Sequence, residues 1–285
     1  MLVLVLASAC QATSGPLSGS TGVVSESPGD VLSSDQNLSG DMDELGVASI
    51  DFITAEFPTS PEEHRMSAAW EALRQKAIGS QVAECMAAEG FVYVPSYFSP
   101  LELRRNGDMP DFELDARLGV TEVYEELPEP PGPPDSSTPE EADAWNRQMS
   151  ECSEAISSMD SRYSSLLGRL RWWDTVREVN ASAEMAEETS RFLKCVADAG
   201  GPEADSIIGI YEALSGPMLR ASSVEELLEV SMRAAQIIAD CAGDYNETRQ
   251  ALLIPIRDRI VEEYAEELAE AEKYFNEMLR LAYEN

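Results

Sequence analysis

From Thr59 onward, apolar residues recur at alternating three- and four-residue steps, the period of an α-helix with one buried face. The first such helix is announced by Ser60, Pro61 and Glu63, which supply a cap, a first-turn proline and the far end of a capping box. Met66, Trp70, Leu73, Ala77, Val82, Cys85 and Met86 then form one apolar stripe, and Gly90 stops the helix. The next residues, Phe91-Val92-Tyr93-Val94-Pro95, predict an extended piece lying on the helices, because Pro95 does not suit a central strand. Pro128 to Pro134 is a stiff surface connection.

Helical periodicity restarts after Ser137-Thr138-Pro139-Glu140-Glu141 with Trp145, Met149, Cys152, Ile156, Met159, Tyr163, Leu166 and Leu170, a spacing suited to bundle packing. A third helix is predicted from Ser182 to Ala199, stopping at Gly200-Gly201, and a fourth starts at Ser222-Ser223-Val224-Glu225. The last runs from Leu253 to Ala282, with Pro255 expected to kink or break its beginning. The predicted fold class is all-α: a disulfide-stapled helical bundle of two degenerate halves, about 58–180 and 181–285, within a domain of residues 58–285. Residues 11–57, rich in Ser, Gly and acids, predict a flexible tether with periodicity emerging only at Ile50-Asp51-Phe52-Ile53.

The opening run, Met1 to Ala9 followed by Cys10, resembles the lipobox of bacterial lipoprotein signal peptides. The resemblance implies lipidation at Cys10, with Ser8 and Ala9 at the small positions before it and Ala7 where leucine is usual. A signal peptide also needs a basic leading region, yet the first basic residue is Arg65, so the natural start is expected upstream of Met1. The alternative is a non-lipidated signal peptide cut near Ala9 and a secreted product. No other segment approaches the roughly 20 apolar residues of a membrane-spanning helix, so a membrane would be engaged through the lipid alone.

Four further cysteines fall in a repeated context. Glu84-Cys85-Met86-Ala87-Ala88-Glu89-Gly90 and Lys194-Cys195-Val196-Ala197-Asp198-Ala199-Gly200 each place a cysteine near a helix end before a glycine stop, and each is followed by a helix bearing Cys152 or Cys241. In an exported chain two disulfides are the simplest outcome; three connectivities exist, and the repeat favours Cys85 with Cys152 and Cys195 with Cys241. Reduced core thiols are the alternative. A structural zinc site wants close Cys or His pairs, so no metal is predicted.

The string Cys85-Met86-Ala87-Ala88-Glu89-Gly90-Phe91-Val92-Tyr93-Val94-Pro95, with Cys152, Cys195 to Gly200 and Ala239-Asp240-Cys241 in order, is similar to a group of uncharacterised secreted lipoproteins of actinobacteria. The likeness extends over roughly residues 66 to 280. It departs at the second motif, where Val196 stands for methionine and no Gly-Tyr follows. The resemblance implies a location and a fold, not a reaction.

Charge and residue content narrow the chemistry. Fifty-three acids against 20 bases leave −33, so a nucleic-acid partner is excluded for want of a basic patch. The acids read as a solvated surface suited to solubility or a salty habitat, and the calcium-loop-like run from Asp41 fails at Leu45 and Phe52. His64 is the sole histidine and is expected at the surface of a first helical turn, and there is no nucleophile elbow, phosphate loop or dinucleotide fingerprint. No cofactor is implied.

A carboxylate pair remains open to an enzyme, with Asp111, Glu113 and Asp115 in the loop after the first helix as the least arbitrary acids. Phe91, Tyr93, Tyr97, Phe98, Trp172 and Trp173 are candidates to line a groove for glycan or peptide, although neighbouring tryptophans on a helix diverge by about 100°, so one of the last two should face the core. The expected function is therefore a lipid-anchored envelope protein with a non-enzymatic binding or structural role toward an unknown envelope ligand or protein. A carboxylate-dependent hydrolase of cell-wall glycan is the alternative; it would require two acids in one cleft, at least one with a raised pKa.

Overall fold

The computed structural model describes Met42 and residues 47–95, 108–118, 132–134 and 137–284. Among these residues there are ten helices and no strand: α1 (Phe52–Glu56), α2 (Pro61–Ala88), α3 (Phe112–Leu118), α4 (Pro139–Leu170), α5 (Trp172–Asn180), α6 (Ala183–Asp198), α7 (Ile207–Leu219), α8 (Val224–Cys241), α9 (Gly243–Glu263) and α10 (Ala265–Glu284). The helix starts follow the capping chemistry written in the sequence. Ser60, Thr138, Ser182 and Ser223 each accept the backbone N–H three residues on, and Thr138 with Glu141 closes a full capping box.

Helix α2 is the axis of the bundle. Its alanines at 68, 69, 72 and 77, together with Trp70, Leu73, Gly79, Val82 and Met86, are buried on several sides rather than along one stripe. Helices α1, α4 and α10 pack around it, and the small alanines admit them closely. The extended piece 91–95 folds back along it, where Gly79 matters: a Cβ there would lie 2.7 Å from the Pro95 Cβ. Phe52, Trp70, Phe112, Phe192, Ile238, Leu253, Phe275 and Ala282 all belong to one core cluster, so the two halves share a single interior.

Both expected disulfides form. Cys85–Cys152 ties the end of α2 to α4, and Cys195–Cys241 ties the end of α6 to the end of α8, each with Cα atoms 5.8 Å apart. The repeat extends to backbone detail. Gly90 and Gly200 adopt φ of 83° and 84°, and the following N–H of Phe91 or Gly201 returns to the carbonyl of Met86 or Val196, the six-to-one bond of a Schellman stop.

Several expectations need correction. Residues 47–57 are not the end of a tether, since Val47, Phe52, Ala55 and Phe57 are buried and Asp51 caps α1. The last helix is not broken at Pro255: α9 runs through it, and the break falls at Tyr264. Pro255 lies on the exposed side, as does Ala251, the residue whose carbonyl loses its intrahelical donor to the proline. The helix expected to start near Leu253 begins ten residues earlier, at Gly243. The α4 helix ends at Arg171, whose left-handed backbone (φ 51°) redirects the chain into the unanticipated α5.

With their cysteines separated by 67 and 46 positions in the sequence, the two cross-links contribute about 4 kcal/mol each through the entropy of the unfolded chain. Their accessibility differs: Cys195 is exposed, whereas Cys152 is 1% exposed in the core. A titration with mild reductant, followed by alkylation and peptide mapping, is expected to label Cys195 and Cys241 first and Cys85 and Cys152 only under unfolding conditions.

Candidate functional site

The site is assembled from four short lengths of chain. Asp51 accepts the N–H of Thr54 at 2.9 Å and so starts α1, whose buried Phe52 and Ala55 leave Glu56 at the helix end facing α2 and α4. The joint between α1 and α2 is held by Glu63, whose carboxylate receives the Thr59 N–H at 2.6 Å, the Thr59 hydroxyl at 2.7 Å and Arg257 of α9 at 2.8 Å. Helix α2 then presents His64, Ser67, Trp70, Glu71 and Arg74 along one side, α4 presents Tyr163, Ser164 and Leu167, and α5 contributes Trp173. Together they line a cleft of about 360 Å³.

Its electrostatics are uneven. Arg74 reaches Glu71 through two parallel bonds, Nε to Oε2 at 2.9 Å and Nη2 to Oε1 at 2.7 Å, while its Nη1 donates to Asp160 at 2.6 Å. The hydroxyl of Tyr274 donates to the same Asp160 oxygen at 2.7 Å, and Gln75 donates to Glu71 at 2.9 Å. Burial opposes the charge on Arg74, but the carboxylates of Glu71 and Asp160 raise its pKa further, so it is a fixed cation.

Glu56 is the exception among the acids. Burial disfavours its carboxylate and pushes the pKa up to about 7, against the opposing pull of hydrogen bonds from Tyr163 and Trp70 and the charge of Arg74; Glu71 adds to the rise. The Tyr163 hydroxyl donates to Glu56, and burial together with the adjacent carboxyl drives the phenol pKa well above its ordinary value, so Tyr163 remains a donor. The cleft thus holds a carboxyl that changes charge near neutrality, beside a neutralised ion pair and two tryptophans.

The sequence-predicted residues distribute otherwise. His64, expected at the surface, is only 4% exposed, because Trp173 of α5 covers the first turn of α2 with its ring edge-on to the imidazole at 5.4 Å. Trp172 is buried, donates its indole N–H to the Pro58 carbonyl at 3.1 Å and meets Phe57 edge-to-face, so one of the adjacent tryptophans faces the core and the other the cleft. Phe91 and Tyr93 do not open a groove: they pack on a satellite core around Cys85 and Cys152, where Tyr93 stacks with Trp145 and the Trp145 indole holds the Val92 carbonyl at 2.9 Å. Tyr97, Phe98 and Cys10 lie outside the described residues.

Asp111, Glu113 and Asp115 do not form a catalytic pair. They belong to α3 and its cap: Asp111 is buried, accepts the Leu114 N–H at 3.0 Å and is bound by Arg65 at 2.5 and 3.0 Å. Arg65 also holds Glu113, and Asp115 accepts the Tyr211 hydroxyl at 3.2 Å. Among the described residues no group of three or more His, Cys, Asp or Glu is arranged for a metal ion. Glu56 was missed because its segment reads as polar linker; the Asp51 cap followed by Phe52 and Ala55 was the available signal.

The raised pKa has a consequence for stability. A carboxyl whose folded pKa lies near 7, above an unfolded value of 4.5, favours the fold fully below about pH 4.5 and progressively less as pH rises through 7. The difference amounts to about 3 kcal/mol at most. Glu56→Gln keeps an acceptor for Tyr163 and is expected to match the wild type in stability at pH 4.5 and exceed it at pH 8, as read by chemical denaturation across that range. No protein-family model, no curated protein and no solved structure matches this chain.

Proposed function

We propose that this chain is a lipid-anchored protein of the extracytoplasmic cell envelope that binds a small ligand in the cleft beside α2. The observation that carries the binding role is the cleft itself, in which a carboxyl of variable charge, tryptophans and hydroxyls meet beside the buried helix α2. Two disulfides are consistent with an oxidising compartment, and the lipobox-like Ser8-Ala9-Cys10 supports a lipid anchor at Cys10. No helix among the described residues is long and apolar enough to cross a membrane.

One observation favours the second reading, a glycan hydrolase: Glu56 and Glu71 share the cleft, and Glu56 has the raised pKa of a general acid. Against it, both Glu71 oxygens are engaged by Arg74 and the Glu56 carboxyl by Tyr163, which leaves neither placed as an unencumbered nucleophile or base. Binding without turnover is the better account.

Mass spectrometry of the protein from its own host is expected to find Cys10 as a lipid-modified N-terminus; an unmodified N-terminus at or before Met1 would remove the anchor. Incubation with cell-wall glycan fragments is expected to leave them uncleaved, whereas cleavage abolished by Glu56→Gln would establish the hydrolase instead.

A further inference from the structure

The one arginine of the cleft lining is already engaged by carboxylates. Glu56 and Glu71 line the cleft with Arg74, and three nitrogens of that guanidinium donate to Glu71 and to Asp160 beside the cleft. An anionic ligand would meet an engaged cation beside a carboxyl that it would repel. A neutral ligand would leave the ionised form of Glu56 without a counter-charge. A cation satisfies what the site lacks, giving the Glu56 carboxylate a counter-charge in a partly desolvated place where such a pair is stronger than in water. Trp70, Tyr163 and Trp173 supply aromatic surface, which favours a cation over an anion. The net charge of −33 raises the local concentration of small cations around the whole protein.

We propose that the cleft takes a small organic cation bearing a primary ammonium group, which donates to the Glu56 carboxylate while its carbon chain lies against Trp173 and Trp70. A primary ammonium, rather than a quaternary one, suits the site because Glu56, Ser67 and Ser164 all offer acceptor oxygens. The volume of about 360 Å³ admits a chain of several heavy atoms. This proposal rests on the cleft being a ligand site.

Binding of the ammonium ion requires an ionised Glu56, so a protonated carboxyl must release its proton. The titratable and charged groups around it are His64, Glu71 and Arg74 from α2, Asp160 and Tyr163 from α4, and Tyr274 of α10 behind Asp160. Because free Glu56 titrates near 7, affinity for an amine rises with pH up to that point and levels above it, falling about tenfold for each unit below. Protonation of His64 would act in the same direction, so the two are separated by a variant.

The test is an NMR titration of the full protein with n-butylammonium chloride, with sodium butyrate and N-acetylglucosamine as anionic and neutral comparators. Signals are read at the Trp70 and Trp173 indole N–H groups and the Glu56 side-chain carboxyl carbon. The expected result is that n-butylammonium alone shifts the two indoles and lowers the Glu56 titration midpoint from about 7 by roughly one unit or more. Glu56→Gln, checked for native helicity, should bind about tenfold or more weakly and lose the pH dependence. Trp173→Ala should weaken binding with the pH dependence retained.

Persistence of the pH dependence in Glu56→Gln would assign it to His64 and overturn the proposed contact. Shifts scattered over surface acids, with the cleft indoles unmoved, would reduce the effect to general attraction by the acidic surface and overturn the proposal. Shifts at the indoles from N-acetylglucosamine but not from n-butylammonium would overturn the amine and leave the cleft as a binding site. Silence of the cleft toward all three probes would sink both.

Discussion

The burial of α2 on several sides is the constraint on which the rest of the structure depends. Glu62 and Glu84 still reach solvent, but a polar side chain of α2 that is turned toward the packed helices has to meet a partner. Glu63 is met by Thr59 and Arg257, Arg65 by Asp111 and Glu113, and Arg74 by Glu71 and Asp160. These contacts reach α3, α4 and α9, so the polar residues of α2 dictate where those helices sit as firmly as its alanines dictate how closely they approach. The cleft forms where this packing is incomplete, at the N-terminal half of α2 between α1, α4 and α5.

The acidity of the chain acquires a structural aspect from the same contacts. Arg65 and Arg74, the two arginines of α2, each meet two carboxylates, so the inward-facing cations are outnumbered by the acids around them. Arg249 of α9 is an opposite case. It is fully buried over the ring of Tyr245, bonded to Asn246 at 3.2 Å, and its pKa is lowered by burial. A buried guanidinium of this kind stabilises little and is costly to desolvate, in contrast to the bidentate pair of Arg74. Where charge is placed therefore matters more than its total.

The repeated cysteine motif shows how a local pattern can be kept while the surroundings diverge. Cys85 and Cys195 occupy the same place before a left-handed glycine, and their partners lie on later helices, yet the first cross-link is packed against Trp145 and Tyr93 and the second reaches the surface. The glycine stop and the disulfide are the shared frame. The side chains between them have taken different roles.

Much of the fold was legible in the sequence, because caps, glycine stops and three-four periodicity are local chemistry that acts over one or two turns. Ser60, Thr138, Ser182 and Ser223 start helices as read, Gly90 and Gly200 help end them, and the duplicated cysteine context indicates the pairing. Short helices escaped notice: α1 and α3 have too few residues to show a period, and α5 is set off by the backbone of Arg171 rather than by a punctuating glycine or proline. The cleft was not legible at all. Glu56, Glu71, Arg74, Tyr163 and Trp173 are ordinary residues on separate segments, and a carboxyl acquires a pKa near 7 only from the burial and neighbours that long-range packing provides. By itself the sequence determined the all-α class, the starts of the long capped helices and the favoured cross-links; which polar groups are buried together, and hence where chemistry can occur, was decided by the tertiary structure, since desolvation depends on residues far apart in the chain.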